Sequence, residues 1–135
     1  MIDPPTEPEP AFVARCTGWM AGRLADGGAW YGWVAEDRGT IVGTIWLGLF
    51  EKIPNPVAEP EVHGYVSNLY VHPKRRGHGT GGALLAAALQ ACDARRLDAV
   101  LLWPTPESRR LYERHGFAVK DDLMERRRAK DLKTA

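Results

Sequence analysis

The sequence predicts an α/β fold in which helices flank a mixed sheet that is mostly antiparallel but contains one parallel strand pair. Three observations support this prediction. An antiparallel hairpin is expected over residues 30–51, an apolar strand over 62–71 leads through a glycine-rich turn into a helix, and a second apolar strand follows over 98–103. Because two strands joined by a helix within one sheet run parallel, both kinds of pairing are expected together.

The size and charge of the chain limit the classes of protein to which it can belong. Its 135 residues predict one domain, and a domain of this size buries about two thirds of the surface that the unfolded chain exposes. Lysine and arginine number 18 and aspartate and glutamate 17, so a net charge of +1 gives no global attraction to nucleic acid or an anionic membrane. The basic run at 126–128 lacks the interleaved aromatic residues of a nucleic-acid interface. We therefore expect neither partner.

The sequence shows neither a targeting segment nor a metal-ligand pattern. No apolar run approaches the roughly 18 residues of a membrane span, and the start, MIDPPTEPEP, lacks a basic region followed by an apolar one. We therefore expect a cytoplasmic protein. Cys16 and Cys92 have no second Cys or His at metal-ligand spacing, so we expect reduced, mostly buried thiols and no metal.

The N-terminal part is predicted to contain a lead-in and one helix. Residues 1–10 carry four prolines, a composition that forms no packed element, so the folded domain is expected to occupy 11–135. Over 11–25 an apolar residue recurs at every fourth position, which predicts a helix. The recurring residues are Phe12, Cys16, Met20 and Leu24.

The hairpin follows this helix. Residues 30–36 and 41–51 are rich in aromatic and β-branched residues and are separated by Asp37-Arg38-Gly39, which favours a turn. Prolines then predict a loop over 53–60. Three of the five tryptophans lie in the hairpin, where aromatic core packing is the expected role and a wall of the substrate site is the alternative. They are Trp30, Trp33 and Trp46.

The remaining elements follow the glycine-rich turn. The helix after the turn has an apolar face at helical spacing, formed by Leu84, Leu85, Ala88, Leu89 and Cys92. A second helix is predicted from Thr105-Pro106-Glu107, which supplies a capping hydroxyl, a proline at the first helical position and an acid, to His115. Gly116 ends it and a strand is expected over 117–120. The charged tail from 125 predicts either a last edge strand through Leu123 and Met124 or a frayed extension.

The stretch over 66–92 has the composition of a phosphate-binding site. Glycines at 77, 79, 81 and 82 let backbone N–H groups approach a ligand, and the following helix adds the positive end of its dipole. Lys74, Arg75 and Arg76 precede the turn and can pair with phosphate oxygens.

Two motifs make this interpretation more specific. The first is Arg76-Gly77-His78-Gly79-Thr80-Gly81, which follows the strand residues Leu69-Tyr70-Val71, and the second is LYERHGF at 111–117. With the order of the elements, they resemble the Arg/Gln-x-x-Gly-x-Gly/Ala signature and the LYEKLGF-type helix end of the GNAT superfamily of N-acetyltransferases, which use acetyl-CoA. The resemblance covers residues 62–120.

This resemblance implies a GNAT-like sheet whose parallel strand pair splays at the acetyl-CoA site. It further implies that the backbone at 69–71 holds the thioester carbonyl and the pantetheine arm, acting like a small oxyanion hole, and that 77–82 wraps the pyrophosphate. The residues that it implicates in binding acetyl-CoA are Leu69, Tyr70, Val71, Arg76, Gly77, His78, Gly79, Thr80, Gly81, Gly82, Thr105 and Tyr112.

Tyr112 matches the family tyrosine that donates a proton or a hydrogen bond to the departing thiolate. A free tyrosine titrates near 10 and a thiol near 8.5, so full proton transfer is uphill by about 2 kcal/mol. Hydrogen-bond donation is therefore the expected role.

Two departures from the family pattern are visible. Thr105 stands where the family has an asparagine that binds the pantetheine, and a threonine there is equally explained as the helix cap. The sequence also shows no clear counterpart of the family's first strand. That strand is either absent, supplied by a partner or formed irregularly by residues 1–10. A homodimer with shared sheet edges is consistent with the second alternative.

The expected reaction is direct attack of a primary amine on acetyl-CoA in a ternary complex, the amine belonging to a small molecule or a peptide. A lysine-like amine with a pKa near 10.4 is neutral in about one molecule in 2,500 at pH 7, so deprotonation costs about 4.6 kcal/mol. A base, a desolvated pocket or both must offset this cost. His63 is the candidate base, because histidine ordinarily titrates near neutrality and His63, Tyr65 and Ser67 share one strand face. Glu51 and Glu59 are the alternative candidates for the base.

Two other functions fit part of the sequence. Gly77-x-Gly79-x-x-Gly82 also satisfies a dinucleotide-binding fingerprint, although His72 to Arg76 separate it from its strand and a hairpin precedes it, unlike a Rossmann oxidoreductase. The missing first strand and Thr105 also fit a non-catalytic module that binds CoA or a protein partner. We expect an N-acetyltransferase.

Overall fold

A computed structural model describes residues 9–129, so most of the predicted lead-in and the last six residues lie outside the described part of the chain. The helix expected over 11–25 begins one residue earlier and ends one later. In chain order the elements are α1 (Pro10–Asp26), β1 (Trp30–Asp37), β2 (Thr40–Glu51), β3 (Val62–Val71), a 3-10 turn (Pro73–Arg75), α2 (Thr80–Ala94), β4 (Val100–Leu101) and α3 (Arg109–Arg114).

The four strands form one mixed sheet in the order β1-β2-β3-β4. The pairs β1–β2 and β2–β3 are antiparallel, and β3–β4 is parallel. The predicted fold class is therefore confirmed, as are the hairpin and the strand over 62–71. The parallel pair forms because α2 carries the chain from the end of β3 back to the start of β4.

The core lies between one face of the sheet and α2. Ile45 and Leu47 of β2 are fully buried there, together with Leu85 of α2. Side chains alternate across a strand, so these β2 residues share the face that meets the helix. The predicted apolar face of α2 is confirmed, with Leu84, Leu85, Ala88 and Cys92 all buried.

The opposite face of the sheet carries Trp30, Trp46 and α1. Trp30 lies across Gly48 of the neighbouring strand, where an added Cβ would come within 2.7 Å of its ring. Trp19 of α1 packs edge-on against Trp30 and Trp46, with ring centroids 5.1 and 6.0 Å apart. Core packing therefore describes Trp30 and Trp46, and Trp33 packs against the core from the other face.

The C-terminal region differs from the prediction in three ways. The strand expected over 98–103 is only Val100–Leu101. No strand forms over 117–120, because the N–H of Phe117 donates to the carbonyl of Tyr112 at 3.1 Å and closes the end of α3. The tail through Leu123 and Met124 also forms no strand.

The start of α3 also differs from the prediction. Thr105 was expected to cap the helix, but its Oγ1 accepts from the N–H of Ser108 at 3.3 Å and so caps the turn that precedes it. Residues 106–108 form a turn, however, and the α-helix begins at Arg109. Ser108 itself explains this, since its hydroxyl bonds back to Thr105 and competes with regular helical bonding.

Candidate active site

The sheet opens where β3 and β4 part. Their register has only two pairs, Gly64 with Val100 and Tyr65 with Leu101, whereas β3 continues to Val71. Beyond Tyr65 that side of β3 therefore faces a gap. The splaying of the parallel pair that the sequence implied is present in the structure.

A β-bulge lies in β3 along this gap. Between the pairs Thr44–Tyr70 and Trp46–Ser67, β2 advances by two residues and β3 by three. The extra residue falls at Asn68, whose φ of 54° is left-handed and is tolerated better by asparagine than by most residues. A bulge interrupts the ladder and re-aims backbone polar groups, and bulges are common beside active sites.

A first cleft, the phosphate cleft, has a volume of about 830 Å³. Its lining residues are Val71, Arg75, Arg76, Gly77, Gly79, Thr80, Gly81, Gly82, Glu107, Ser108, Leu111, Arg114 and His115. Most of the predicted phosphate-binding residues therefore lie together, but His78 is exposed and does not line the cleft. Gly77 and Gly79 have φ values of 80° and 84°, which explains why glycine occupies both positions.

The basic residues before the turn have structural partners of their own. Arg76 donates from Nε to the carbonyl of Val71 at 2.8 Å, and its guanidinium lies over the ring of Tyr70, 5.5 Å from the centroid. Arg75 pairs with Asp37 at 2.9 Å. Lys74 is exposed and lines neither cleft. Arg76 thus fixes the turn to the end of β3 as well as lining the phosphate cleft.

A second cleft, the aromatic cleft, has a volume of about 460 Å³. Its lining residues are Met20, Thr44, Trp46, Tyr65, Val66, Ser67, Asn68, Leu69, Tyr70, Trp103, Thr105, Ser108 and Tyr112. The structure therefore brings together the predicted residues Leu69, Tyr70, Thr105 and Tyr112 at the bulge.

Ser108 lines both clefts, so the two are neighbours at the start of α3. Its side chain is 5% exposed, and the hydroxyls of Ser108 and Thr105 lie 2.9 Å apart. Two further bonds hold the pair: the Thr105 N–H donates to the Ser108 hydroxyl at 3.0 Å, and that hydroxyl lies 3.1 Å from the Thr105 carbonyl. These hydrogen bonds between Thr105 and Ser108 fix the segment between the clefts.

Tyr112 is buried, with 8% exposure, and packs edge-on against Phe117 with ring centroids 5.7 Å apart. Burial raises the pKa of its hydroxyl above the ordinary value of 10.0. At neutral pH it is therefore a protonated donor in the lining of the aromatic cleft.

The candidate bases predicted from the sequence line neither cleft. His63 lines neither cleft, and its ring packs against Phe50 at 5.3 Å. It precedes Asn68 by five residues, about 16 Å along an extended strand. Glu59 pairs with Lys52 at 2.8 Å, and this partner holds the pKa of its carboxyl below the ordinary value. Glu51 is exposed at the end of β2. The structure does not bring these groups together with Tyr112.

Several lining residues were missed by the sequence reasoning. Met20, Trp46 and Trp103 come from separate segments, and nothing local marks them as neighbours. A signal did exist for Ser108, since a hydroxyl three residues after Thr105 can complete a capping pair. Arg114 and His115 were visible within LYERHGF but were not assigned to the phosphate cleft.

Two kinds of structural feature are absent from the described residues. Across residues 9–129 no helix is both long enough and apolar enough to cross a membrane. Within the same residues no group of three or more His, Cys, Asp or Glu side chains is arranged to hold a metal ion.

Comparison with known proteins gives consistent matches. The family model for the acetyltransferase (GNAT) domain matches residues 28–119. A mycothiol acetyltransferase from Thermobispora bispora is 37% identical over 90 residues, which cover 62% of this chain but only 28% of that protein. The chain thus spans little more than a quarter of that relative.

Solved structures have the same fold. A GCN5-related N-acetyltransferase from Ralstonia eutropha is 32% identical, with a TM-score of 0.72 and coverage of 86% of this chain and 76% of that one. A predicted acetyltransferase from Clostridium acetobutylicum, solved with acetyl-CoA, is 23% identical, with a TM-score of 0.74 and coverage of 90% of this chain and 78% of that one. At that identity the second likeness establishes the fold alone.

Proposed function

Because the chain belongs to the GNAT family of acetyltransferases, we propose that it transfers the acetyl group of acetyl-CoA to a primary amine by direct attack in a ternary complex. The observation that carries this proposal is the meeting of two clefts at Ser108, beside the bulge in β3. One cleft has the chemistry to hold a phosphorylated donor. The other has room for an acceptor beside the donor's reactive end.

The donor is held in the phosphate cleft. Backbone N–H groups of the glycine-rich turn and the N-terminus of α2 bind the pyrophosphate, as helix N-termini bind anions generally. Arg114 supplies a further donor from α3, and with Arg75 and Arg76 it outnumbers the acidic Glu107. The Clostridium acetobutylicum structure with acetyl-CoA supports this choice of donor.

The reaction occurs where the clefts meet. The amine nitrogen attacks the thioester carbonyl carbon, a C–N bond forms, the C–S bond breaks, the thiolate leaves and the nitrogen releases a proton to solvent. Backbone polar groups at Leu69–Val71, beside the bulge, stabilise the negative charge that develops on the carbonyl oxygen. Leu69, Tyr70 and Val71 thus act through their backbone groups and not through their side chains.

Tyr112 donates a hydrogen bond to the departing sulfur. Tyr112 lines the aromatic cleft, and the raised pKa of its hydroxyl keeps it protonated. The same shift makes complete proton transfer to a thiolate more costly than for a free tyrosine. Solvent therefore supplies the proton that the thiol finally carries.

Loss of the amine's proton depends on the cleft rather than on His63. Apolar surroundings disfavour an ammonium ion and so favour the neutral amine. His63 lies five residues before Asn68 and lines neither cleft, so we assign it no direct role in this step.

Free-thiol release tests the proposal. The chain is incubated with acetyl-CoA and a panel of primary amines, and thermal shift is measured with acetyl-CoA and with NADH. We expect thiol release and stabilisation by acetyl-CoA alone. Stabilisation without thiol release from any amine would instead favour a CoA-binding module, and stabilisation by NADH alone would favour a dinucleotide-binding protein.

A further inference from the structure

Five of the thirteen residues that line the aromatic cleft are aromatic, and the polar ones carry only hydroxyl or amide groups. Trp46 is 7% exposed, and Tyr65 and Trp103 meet edge to face with ring centroids 5.3 Å apart and an interplanar angle of 80°. Met20 of α1 adds an adaptable thioether side chain to the same lining. Surfaces of this kind bind flat apolar groups through area burial and ring contacts.

The cleft also lacks charge. Every side chain that the described residues contribute to its lining is uncharged at neutral pH. The nearest basic side chain of the glycine-rich turn, Arg76, is directed to the carbonyl of Val71 and the ring of Tyr70. A second charge on the acceptor would therefore be desolvated without a counter-charge, which is costly.

The exposed wall of the cleft is held in place from outside. Trp103 is 57% exposed, and its indole Nε1 donates to the carboxylate of Glu125 at 2.7 Å. Glu125 in turn pairs with Arg127. The C-terminal segment thus adds a hydrogen bond to the ring contact with Tyr65 in fixing the orientation of the Trp103 ring.

These observations carry one inference about the acceptor, which rests on the proposed amine acetylation. We propose that the acceptor is a primary monoamine bearing an aromatic or other flat apolar group and no second charge, and that Trp103 determines this specificity. The volume of about 460 Å³ is within the usual range for small-molecule sites, about 300–1,000 Å³.

Acceptor kinetics test this inference. At saturating acetyl-CoA, kcat/KM is measured for phenethylamine, 1,5-diaminopentane, phenylalanine and glucosamine 6-phosphate. The first carries one charge and a ring, and each of the others carries an additional charge. We expect phenethylamine to exceed each of the others by about thirtyfold or more. Equal or better use of the diamine, the amino acid or the sugar phosphate would overturn the inference while leaving acetyl transfer intact.

Variants of Trp103 test whether this residue determines the preference for the acceptor. Trp103→Ala should lower kcat/KM for phenethylamine about tenfold, mainly through KM, without changing the KM for acetyl-CoA. Trp103→Phe should restore most of this loss, because it keeps a flat ring. Trp33→Phe, on the other face of the sheet, is the matched control and should leave acceptor preference unchanged. An unchanged preference in Trp103→Ala would remove Trp103 from this role. If no amine were acetylated, the proposed function would be overturned, and this inference with it.

Discussion

The Nε of Arg76 donates to the carbonyl oxygen of Val71 at 2.8 Å, which joins the first residue of the glycine-rich motif to the last residue of β3. This bond fixes the phosphate cleft relative to the bulge. A side chain that sequence reasoning assigns to phosphate contact therefore also positions the strand that lines both clefts.

We predict that Arg76→Ala raises the KM for acetyl-CoA about tenfold. A hydrogen bond from a charged donor contributes about 1.5–3 kcal/mol, and about 1.4 kcal/mol corresponds to a tenfold change. Steady-state kinetics with acetyl-CoA varied would measure it. Arg15→Ala, which removes an equal charge from exposed α1, is the control. If the two variants had the same KM, the assigned role of Arg76 would be wrong.

Tyr112→Phe should lower kcat by about ten- to a hundredfold, because it removes a hydrogen bond made to the leaving sulfur as charge develops. The affinity for acetyl-CoA, measured by titration, should be unchanged. Since burial raises the pKa of Tyr112 above 10.0, the wild-type rate should show no decline below pH 10 from loss of its proton.

Tyr31→Phe is the matched control for Tyr112→Phe, because it loses the same hydroxyl from a residue that lines neither cleft. Wild-type turnover in Tyr112→Phe would show that the hydroxyl takes no part in the reaction.

Local patterns were enough to predict the hairpin, β3 and α2. Each rests on a run of residues whose own periodicity and turn chemistry agree with the final structure. The region after β4 was predicted less well, since its hydrogen bonds join distant residues. Trp103 bonds to Glu125 across 22 positions, and the N–H of Phe117 is used to close α3.

The phosphate cleft could likewise be anticipated, since the glycine-rich turn is contiguous in sequence. The aromatic cleft could not, because Met20, Trp46 and Trp103 meet only once α1, β2 and the segment after β4 are assembled. His63 shares the strand face of Tyr65 and Ser67, as its alternation predicts. It lies too early in β3 to reach the bulge, and only the positions of the bulge and of β4 reveal this.

Two glycines provide a direct test of the packing on the aromatic face. Gly48→Ala should destabilise the fold by about 1–3 kcal/mol, because the new Cβ would come within 2.7 Å of the Trp30 ring. Gly18→Ala, in α1 with no atom within 4 Å, should instead stabilise by up to about 1 kcal/mol. Urea unfolding measures both free energies. Equal effects of the two changes would contradict the described contact.

The ion pairs of Lys52 predict a pH-dependent contribution to stability. Lys52 lies 2.8 Å from Glu59 and 3.1 Å from Asp98, and it lowers the pKa of Glu59 below the ordinary 4.5. A carboxylate with a depressed pKa stabilises the fold above its ordinary pKa, and the contribution is lost as pH falls through the folded value. Lys52→Met should therefore lower Tm at pH 7, and the difference from wild type should shrink below about pH 4.5.

Lys120→Met, which alters an exposed lysine after α3, is the control for this titration of stability. A difference between Lys52→Met and wild type that stayed constant from pH 7 to pH 3 would show that the ion pair with Glu59 does not contribute to it.

The most direct test is mass spectrometry of the amine after incubation with the chain, acetyl-CoA and phenethylamine. The account predicts N-acetylated amine and one equivalent of free CoA for each amine consumed, with formation greatly slowed in Tyr112→Phe. Unmodified amine in the presence of a chain that acetyl-CoA demonstrably stabilises would contradict it.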